Sequence, residues 1–410
     1  MQDADIARIA QWLIARGLAG GKEDKLLEQF CRLCREAGLM VSRGLLIMDT
    51  LHPVYEGRAF VWRQDGTAER AVIEYGSSFE GAHAETWRRT AFYHLLQTGG
   101  TELRRRIAFG DPLDFSILTE LREAGQTDYF VLIRQFSAEG SIGEMDGFYS
   151  QWTSAEPEGF TEDDIAALRR LVPVLALALK CETLTGIAGT VAEIYLGRDA
   201  GRLVMSGRIA RGVAERIPAV LWFSDLRGYT RISDSAAPEE IIPLLNDYAG
   251  AVIGAVHEAG GTVLKLIGDG ALALFRDGEP AQACAAALAA EASLRTRLAE
   301  VNARRTSEGR PVTDIYLGLH IGEVFYGNIG SDDRLDFTVV GPAVNEVARI
   351  ASMCRSVDHD TVVSSEFALA LPEALRARLV SVGRYALRGV GRTQHLYTLD
   401  PDTLARSARG

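Results

Sequence analysis

A pair of short apolar segments joined by a tight turn constrains the fold of this sequence more than any other feature. Thr262–Ile267 and Ala271–Phe275 flank Gly268-Asp269-Gly270, and an Asp-Gly turn between apolar segments is a strong signal of a β-hairpin. Periodicity around the hairpin adds strands at 219–225, 314–321 and 336–340 and helices at 238–258, 279–303 and 344–353. The βαββαβ order predicts an α+β domain over 217–400, with a ferredoxin-like antiparallel sheet and helices on one face.

Length and charge bound the class of protein. The 410 residues exceed one ordinary domain of about 100–200 residues, so two folded domains are expected. Hydrophobic residues make up 47% and charged residues 24%, which is globular composition and excludes a mostly disordered chain. The net charge of −11 argues against a broad nucleic-acid or anionic-membrane surface, so we expect no nucleic-acid partner.

Targeting signals are not evident in the sequence. The most apolar run, Leu171–Leu179, falls short of the roughly 18–20 residues that span a bilayer. The start, Met1-Gln2-Asp3-Ala4-Asp5, is acidic where a secretory signal is basic. Five thinly spread cysteines do not make a disulfide framework. We therefore expect a cytoplasmic protein without membrane insertion.

The first half of the chain has a different element order. A helical pattern over 6–37, four β-like segments and a helix over 161–180 predict an α+β sensor-like domain over 1–180. Residues 181–216 are interrupted by glycines and predict a connector of helix and turn. Cys31 and Cys34 fall on the apolar stripe of a helix, which favours core packing over metal or redox work. The aromatic residues Trp62, Trp87, Phe92 and Tyr93 could line a pocket, but core packing is again the favoured interpretation.

Two aspartates follow apolar strands in the second half. Asp225 ends a strand, and Leu226-Arg227-Gly228-Tyr229-Thr230 turns into a helix. A carboxylate there suits a hard divalent cation, and the following amides suit phosphate oxygens. Taken alone, Asp225 could cap the helix and Asp269 could serve its turn. If the strand and the hairpin lie side by side, the two carboxylates can clamp two Mg²⁺ ions on a triphosphate.

Three further polar residues stand out. Lys265 lies within an apolar strand, where it either needs a partner or faces outward. Asn345 and Arg349 are four residues apart, so they share a helical face. An amide beside a guanidinium suits a sugar oxygen and phosphate charge in a transition state; the alternative is a solvated helix face.

In combination, these segments resemble the catalytic domain of class III nucleotidyl cyclases. The shared motifs are Phe223-Ser224-Asp225-Leu226-Arg227-Gly228-Tyr229-Thr230, Lys265 four residues before Asp269, and Thr338 seven residues before Asn345, with Arg349 beyond. The resemblance implies an adenylate cyclase that converts ATP to 3′,5′-cyclic AMP and pyrophosphate. The family often carries Asp at the place of Thr338. Thr is similar to the bacterial class IIIb subgroup, some members of which respond to bicarbonate.

The resemblance also implies a role for each site residue. Asp225, Asp269 and the Leu226 carbonyl would bind two metal ions, Mg²⁺ or Mn²⁺. Lys265 and Thr338 would read the purine, and the lysine indicates adenine. The turn that follows Asp225 would contact the phosphates, as would Arg388 in the tail; the turn residues are Leu226, Arg227, Gly228, Tyr229 and Thr230. Asn345 would orient the ribose, and Arg349 would stabilise the transition state.

Assembly follows from the same resemblance. In the family, each site lies between two catalytic domains. One domain supplies the metal-binding aspartates, and the other supplies the purine-reading pair together with Asn345 and Arg349. One chain holds one full set, so a homodimer with two equivalent sites is implied. Residues 1–180 resemble a GAF-type sensor by element order, which implies an unidentified small-molecule or protein regulator. The alternatives are a degenerate cyclase fold that binds nucleotide or dimerises, and a guanylate cyclase, which would carry an acidic residue in place of Lys265.

Overall fold

The structure is a computed structural model that describes residues 1–67, 71–76, 81–136, 142–143 and 145–400. Residues 81–83 are described by their backbone alone. The chain divides into two compact units, Met1–Val191 and Ala192–Gly410. The α+β class predicted from the sequence is confirmed in both.

The N-terminal unit is built on a six-stranded antiparallel sheet with the strand order β3-β2-β1-β6-β5-β4. Its strands are β1 (Arg43–Asp49), β2 (Gly57–Arg63), β3 (Val72–Tyr75), β4 (Glu102–Arg105), β5 (Asp128–Gln135) and β6 (Gly147–Ser154). Its helices are α1 (Asp3–Ala19), α2 (Glu23–Glu36), α3 (Gly81–Arg88), α4 (Ala91–Thr98), α5 (Ser116–Glu123) and α6 (Glu162–Leu196), with a 3-10 turn at Ile107–Phe109.

Two cores cover the two faces of this sheet. Helices α1, α2 and α6 pack on one face, where Cys31 and Cys34 are fully buried, so the prediction that both cysteines serve the core is confirmed. Helices α4 and α5 pack on the other face. The single helical pattern predicted over 6–37 is two helices, because Gly20 takes a φ of 74° that ends α1.

Helix α6 is longer than the sequence indicates. The helix predicted to end near Lys180 continues through Gly186 and Gly189 to Leu196, because packing at residues such as Leu179 and Ile187 overrides the glycine propensity. By length and composition α6 could cross a bilayer, yet half of its most apolar window is buried inside the fold. A core helix has the same composition, so the absence of membrane insertion stays a prediction.

The C-terminal unit carries a second, eight-stranded sheet with the order β13-β14-β12-β10-β7-β9-β8, and β11 pairs with the end of β10. Its strands are β7 (Ala214–Leu226), β8 (Thr262–Ile267), β9 (Gly270–Phe275), β10 (Ile315–Gly330), β11 (Leu335–Val340), β12 (Thr361–Ser364), β13 (Leu379–Ala386) and β14 (Thr393–Leu399). Its helices are α7 (Arg198–Met205), α8 (Tyr229–Ser235), α9 (Pro238–Glu258), α10 (Pro280–Ser307), α11 (Pro342–Val357), α12 (Ser365–Ala370) and α13 (Glu373–Arg376).

Helices cover both faces of this sheet, where the sequence predicted one. Alternate residues of β7 point to opposite cores: Val220 and Trp222 pack against α9 and α10, whereas Ala219 and Leu221 pack with α7, β11 and α11. The second layer consists of α7 and α11, which pack with β11 on the other face of the sheet. The predicted limits 1–180, 181–216 and 217–400 remain predictions.

Candidate active site

The two predicted metal aspartates meet at one end of the C-terminal sheet. Asp225 ends β7, and Asp269 lies in the turn between β8 and β9, the strand that pairs with β7. The approach depends on Gly270, where a Cβ atom would lie 2.5 Å from the carbonyl oxygen of Ser224. The hairpin therefore delivers Asp269 to Asp225 because residue 270 has no side chain.

The two carboxyl groups interact directly. Burial, a hydrogen bond to Asp269 and the charge of Asp269 together raise the pKa of Asp225 to about 6. Both aspartates line a cavity of about 210 Å³ whose other wall is the apolar side of α9, including Leu245 and Val252. The site thus holds two hard oxygen donors that repel each other unless a proton or a cation lies between them.

A divalent cation fits this donor set. Carboxylate oxygens are the ligands that Mg²⁺ prefers, and Mg²⁺ usually completes its shell with water and substrate phosphates. Among the described residues there is no group of three or more His, Cys, Asp or Glu side chains that could hold a metal by themselves.

The turn after Asp225 is fixed by contacts within the chain. The Arg227 amide donates to the Asp314 carbonyl at 2.8 Å. This amide is therefore not free for a phosphate oxygen, contrary to the prediction from the sequence. The Arg227 guanidinium lies over the Tyr316 ring and 3.4 Å from Asp360. Gly228 takes a left-handed conformation that starts α8. Leu226 is buried and Tyr229 packs against the core, whereas Thr230 is exposed.

Lys265 has a partner that the sequence analysis missed. Its ammonium group forms an ion pair with Asp336 on β11. The register of β8 shifts at Leu264, so that Lys265 pairs with Leu272, a residue of the α7 and β11 side of the sheet. This bulge turns the lysine inward. Asp336 lies on the same strand as Thr338, two residues before it. This position next to a predicted purine-reading residue was the only signal in the sequence of the ion pair between Lys265 and Asp336.

The remaining predicted residues lie apart from the carboxylate cavity. Thr338 is buried on β11 opposite Gly327. Asn345 and Arg349 are exposed on α11; in the described parts of the chain, the structure gives neither side chain a hydrogen bond or ion pair. Arg388 is exposed in the loop between β13 and β14. Of the predicted site residues, the cavity is lined by Asp225, Leu226 and Asp269 alone.

A buried histidine supports α11 and was also missed. His320 lies on β10, with Nδ1 2.8 Å from Ser364 Oγ and Nε2 3.4 Å from the Glu346 carboxylate. Burial lowers the pKa of His320 to about 4, so the ring is neutral at pH 7. Glu346 neighbours Asn345, and the contact therefore fixes the start of the helix that carries Asn345 and Arg349.

Part of this chain is similar to known proteins. Residues 214–400 match the family described as the adenylate and guanylate cyclase catalytic domain. An adenylate cyclase of Anabaena cylindrica is 34% identical over 226 residues, which are 53% of this chain and 45% of that protein. The chain thus spans less than half the length of this curated relative.

Solved structures of an adenylyl cyclase and of a guanylyl cyclase are also similar to part of this chain. The guanylyl cyclase Cya2 is 30% identical, with a TM-score of 0.41 over 45% of this chain and 93% of that one. The adenylyl cyclase CyaB of P. aeruginosa is 24% identical, with a TM-score of 0.41 over 46% and 95%. The comparisons therefore show that residues 214–400 of this chain are similar to the adenylate and guanylate cyclase catalytic domain.

Proposed function

We propose that this protein is an adenylate cyclase that converts ATP to 3′,5′-cyclic AMP and pyrophosphate as a homodimer, with two Mg²⁺ or Mn²⁺ ions in each site. The observation that carries the proposal is that Asp225 and Asp269 line one cavity at the end of the sheet, where the charge of Asp269 helps raise the pKa of Asp225. Lys265 supports adenine as the base, because its ammonium group can donate a hydrogen bond to N1 of adenine, which is an acceptor. In guanine the same ring nitrogen carries a hydrogen and is itself a donor.

The roles of the residues follow from their chemistry. Asp225, Asp269 and the Leu226 carbonyl would hold the metal ions, which when bound would lower the pKa of the ribose 3′-hydroxyl and neutralise the triphosphate. Arg349 places its guanidinium against the charge that develops on the α-phosphate, and Asn345 orients the ribose. Thr338 assists Lys265 at the purine, as in class IIIb members.

The separation of the two residue groups supports the homodimer. Within the described chain, the aspartates line one cavity, whereas Asn345 and Arg349 are exposed on α11 with no side-chain partner. A second copy that places its α11 at the carboxylate cavity would complete the site, and the two-fold relation would give two equal sites.

The N-terminal unit is proposed to be a GAF-type regulator of the cyclase. This proposal would be refuted if deletion of residues 1–180 left the rate, the metal response and dimerisation unchanged.

Product formation tests the activity. The full chain would be assayed with ATP and with GTP, each with Mg²⁺ or Mn²⁺, beside Asp269→Ala and the exposed control Asp277→Ala. We expect cyclic AMP and pyrophosphate from ATP, lost in Asp269→Ala and retained in the control. Product from GTP alone would identify a guanylate cyclase. Nucleotide binding without product under all conditions would favour the non-enzymatic alternative.

A further inference from the structure

The peptide group between Leu226 and Arg227 is held from the β10 side. The Arg227 amide donates to the Asp314 carbonyl at 2.8 Å, which continues the pairing of β7 with β10 one residue beyond Leu226 and Ile315. A trans peptide group is planar, and its C=O and N–H bonds point in opposite directions. The Leu226 carbonyl therefore points away from β10.

The other side of β7 is the side of the second aspartate. In the sheet, β7 lies between β10 and β9, and the last pair of β7 with β9 joins Ser224 to Ala271. The same register, continued by two residues, brings Leu226 opposite Asp269. The Leu226 carbonyl is thus directed to the edge of the sheet where Asp225 and Asp269 line the cavity.

The loop before β10 holds both polar groups of the Arg227 backbone. Besides the amide contact, the Thr313 hydroxyl donates to the Arg227 carbonyl at 2.5 Å. Thr313 and Asp314 are adjacent in this loop, so a shift of the loop would move the Arg227 backbone with it. The direction of the Leu226 carbonyl therefore depends on how firmly the loop is fixed.

A buried tyrosine fixes the loop. Tyr248 on α9 is 1% exposed and lines the carboxylate cavity. Its hydroxyl accepts from the Thr313 amide at 2.7 Å and donates to Asn302 on α10, whose side-chain amide donates to the Thr313 carbonyl at 2.9 Å. Burial raises the pKa of the Tyr248 phenol, so the hydroxyl keeps its proton at pH 7 and serves as donor and acceptor together.

Arg295 supports the same loop from α10. Its guanidinium donates to the Asp314 carboxylate and to the Ile315 carbonyl, both at 2.9 Å. The same side chain also donates to Thr361 on β12, so its removal would disturb several elements at once. The Tyr248 hydroxyl is the more specific contact, because a phenylalanine would keep the ring and remove only the hydrogen bonds.

We propose that Tyr248 is a positioning residue of the metal site, whose hydroxyl acts through Thr313 to direct the Leu226 carbonyl toward the two aspartates. The role toward a metal rests on the function proposed above, whereas the hold on the loop is a property of the metal-free chain. A donor that is fixed before the metal binds loses less conformational freedom on binding, so the fixed loop raises the affinity of the site.

Hydrogen exchange and Mn²⁺ binding on the full chain test the proposal. Tyr248→Phe removes only the hydroxyl. Thr313→Val removes the donor to the Arg227 carbonyl, and Thr313→Ser restores a hydroxyl there. The matched control is Tyr326→Phe, because this buried tyrosine donates to Asp199 at 2.8 Å near the opposite end of β10. Thermal unfolding shows whether each variant folds.

Exchange of the Arg227 amide in the metal-free chain, resolved by mass spectrometry with electron-transfer fragmentation, reports the hold on the loop by itself. We expect Tyr248→Phe and Thr313→Val each to speed this exchange about three- to tenfold, the effect of one lost hydrogen bond on local opening. The double variant should show less than the product of the two effects, because both act on one loop. Thr313→Ser and Tyr326→Phe should stay within about twofold of wild type.

Mn²⁺ titration reports the consequence for the metal. It follows the electron paramagnetic resonance signal of the free ion with adenosine or guanosine 5′-(α,β-methylene)triphosphate, which cannot be cyclised, and a titration of nucleotide alone is subtracted. We expect Tyr248→Phe and Thr313→Val to weaken Mn²⁺ binding about three- to tenfold. Thr313→Ser and Tyr326→Phe should bind Mn²⁺ within about twofold of wild type.

The two measurements separate the possible failures. Unchanged exchange of the Arg227 amide in Tyr248→Phe would overturn the positioning role and leave the proposed cyclase function standing. Faster exchange with wild-type Mn²⁺ affinity would also overturn it, because the metal site would then be indifferent to the loop. A wild type that binds no Mn²⁺ with either nucleotide would refute the metal site of the proposed function, and the positioning role would fall with it.

Discussion

The two groups of predicted catalytic residues differ in how the chain presents them. Asp225 and Asp269 are brought into contact by the pairing of β7 with β9 and repel each other there. Asn345 and Arg349 are exposed on α11, on the opposite layer of the sheet. Under the proposed function, the difference implies that one chain would pre-assemble the metal half of the site and leave the transition-state half to be completed by another surface.

Asp225→Asn should have the largest effect and should separate function from stability. Loss of one metal ligand is expected to lower cyclic AMP formation by at least about 10³-fold. Relief of the repulsion between the carboxylates should raise the melting temperature of the metal-free protein by about 1–3 °C. Rate assays and metal-free thermal unfolding check both, with Asp277→Asn as the matched control; a lower melting temperature would contradict the repulsion.

Arg349→Ala should lower kcat by about 10²-fold and leave the melting temperature unchanged, because the side chain has no partner in the described chain. Arg376→Ala, on exposed α13, is the control.

Coexpression of Arg349→Ala with Asp225→Asn should restore about one quarter of the wild-type rate. Half of randomly paired dimers are then mixed, and each mixed dimer holds one intact site out of two. No recovery in a purified mixed dimer would show that both groups act within one chain.

His320 offers a pH test of the α11 side. Burial lowers its pKa to about 4 from an ordinary value of 6.5, while nearby Glu366 and Arg392 act in opposite directions. The folded pKa is depressed, so the neutral ring stabilises the fold fully above pH 6.5, and this contribution is lost as pH falls from 6.5 toward 4. Urea unfolding should show wild type losing about 2–3 kcal/mol more than His320→Asn across that window. Parallel curves would refute this.

Lys265 tests the base specificity with the smallest expected effect. Lys265→Gln should lower kcat/KM for ATP about tenfold and reduce the preference over GTP, because a charged donor is replaced by a weaker one. Asp336→Asn removes the ion-pair partner and keeps the lysine, so ATP turnover should stay within about twofold of wild type. An unchanged ATP-to-GTP ratio in Lys265→Gln would remove the argument for adenine.

Local patterns predicted most of the C-terminal unit. The helix predicted over 238–258 and the strand over 262–267 match α9 and β8, because apolar periodicity, Pro and Gly signals mark them within short stretches. The N-terminal unit was harder. Strands β4 and β6 were missed, since Glu102–Arg105 is polar and Gly147–Ser154 is buried on both faces, so neither alternates in polarity.

For the candidate site, the sequence by itself determined which donors the chain carries: two aspartates after apolar strands, one lysine in a strand and an Asn-Arg pair on a helix. Only the tertiary structure decided what each one meets. The contact of Asp225 with Asp269 needs β9 to pair with β7, and the ion pair of Lys265 with Asp336 needs a bulge and the return of β11. A cavity of the N-terminal unit likewise joins residues of β1, β3, β6 and two helices. Such contacts link residues far apart in the chain, and their energies depend on sheet order and packing, which no local propensity encodes.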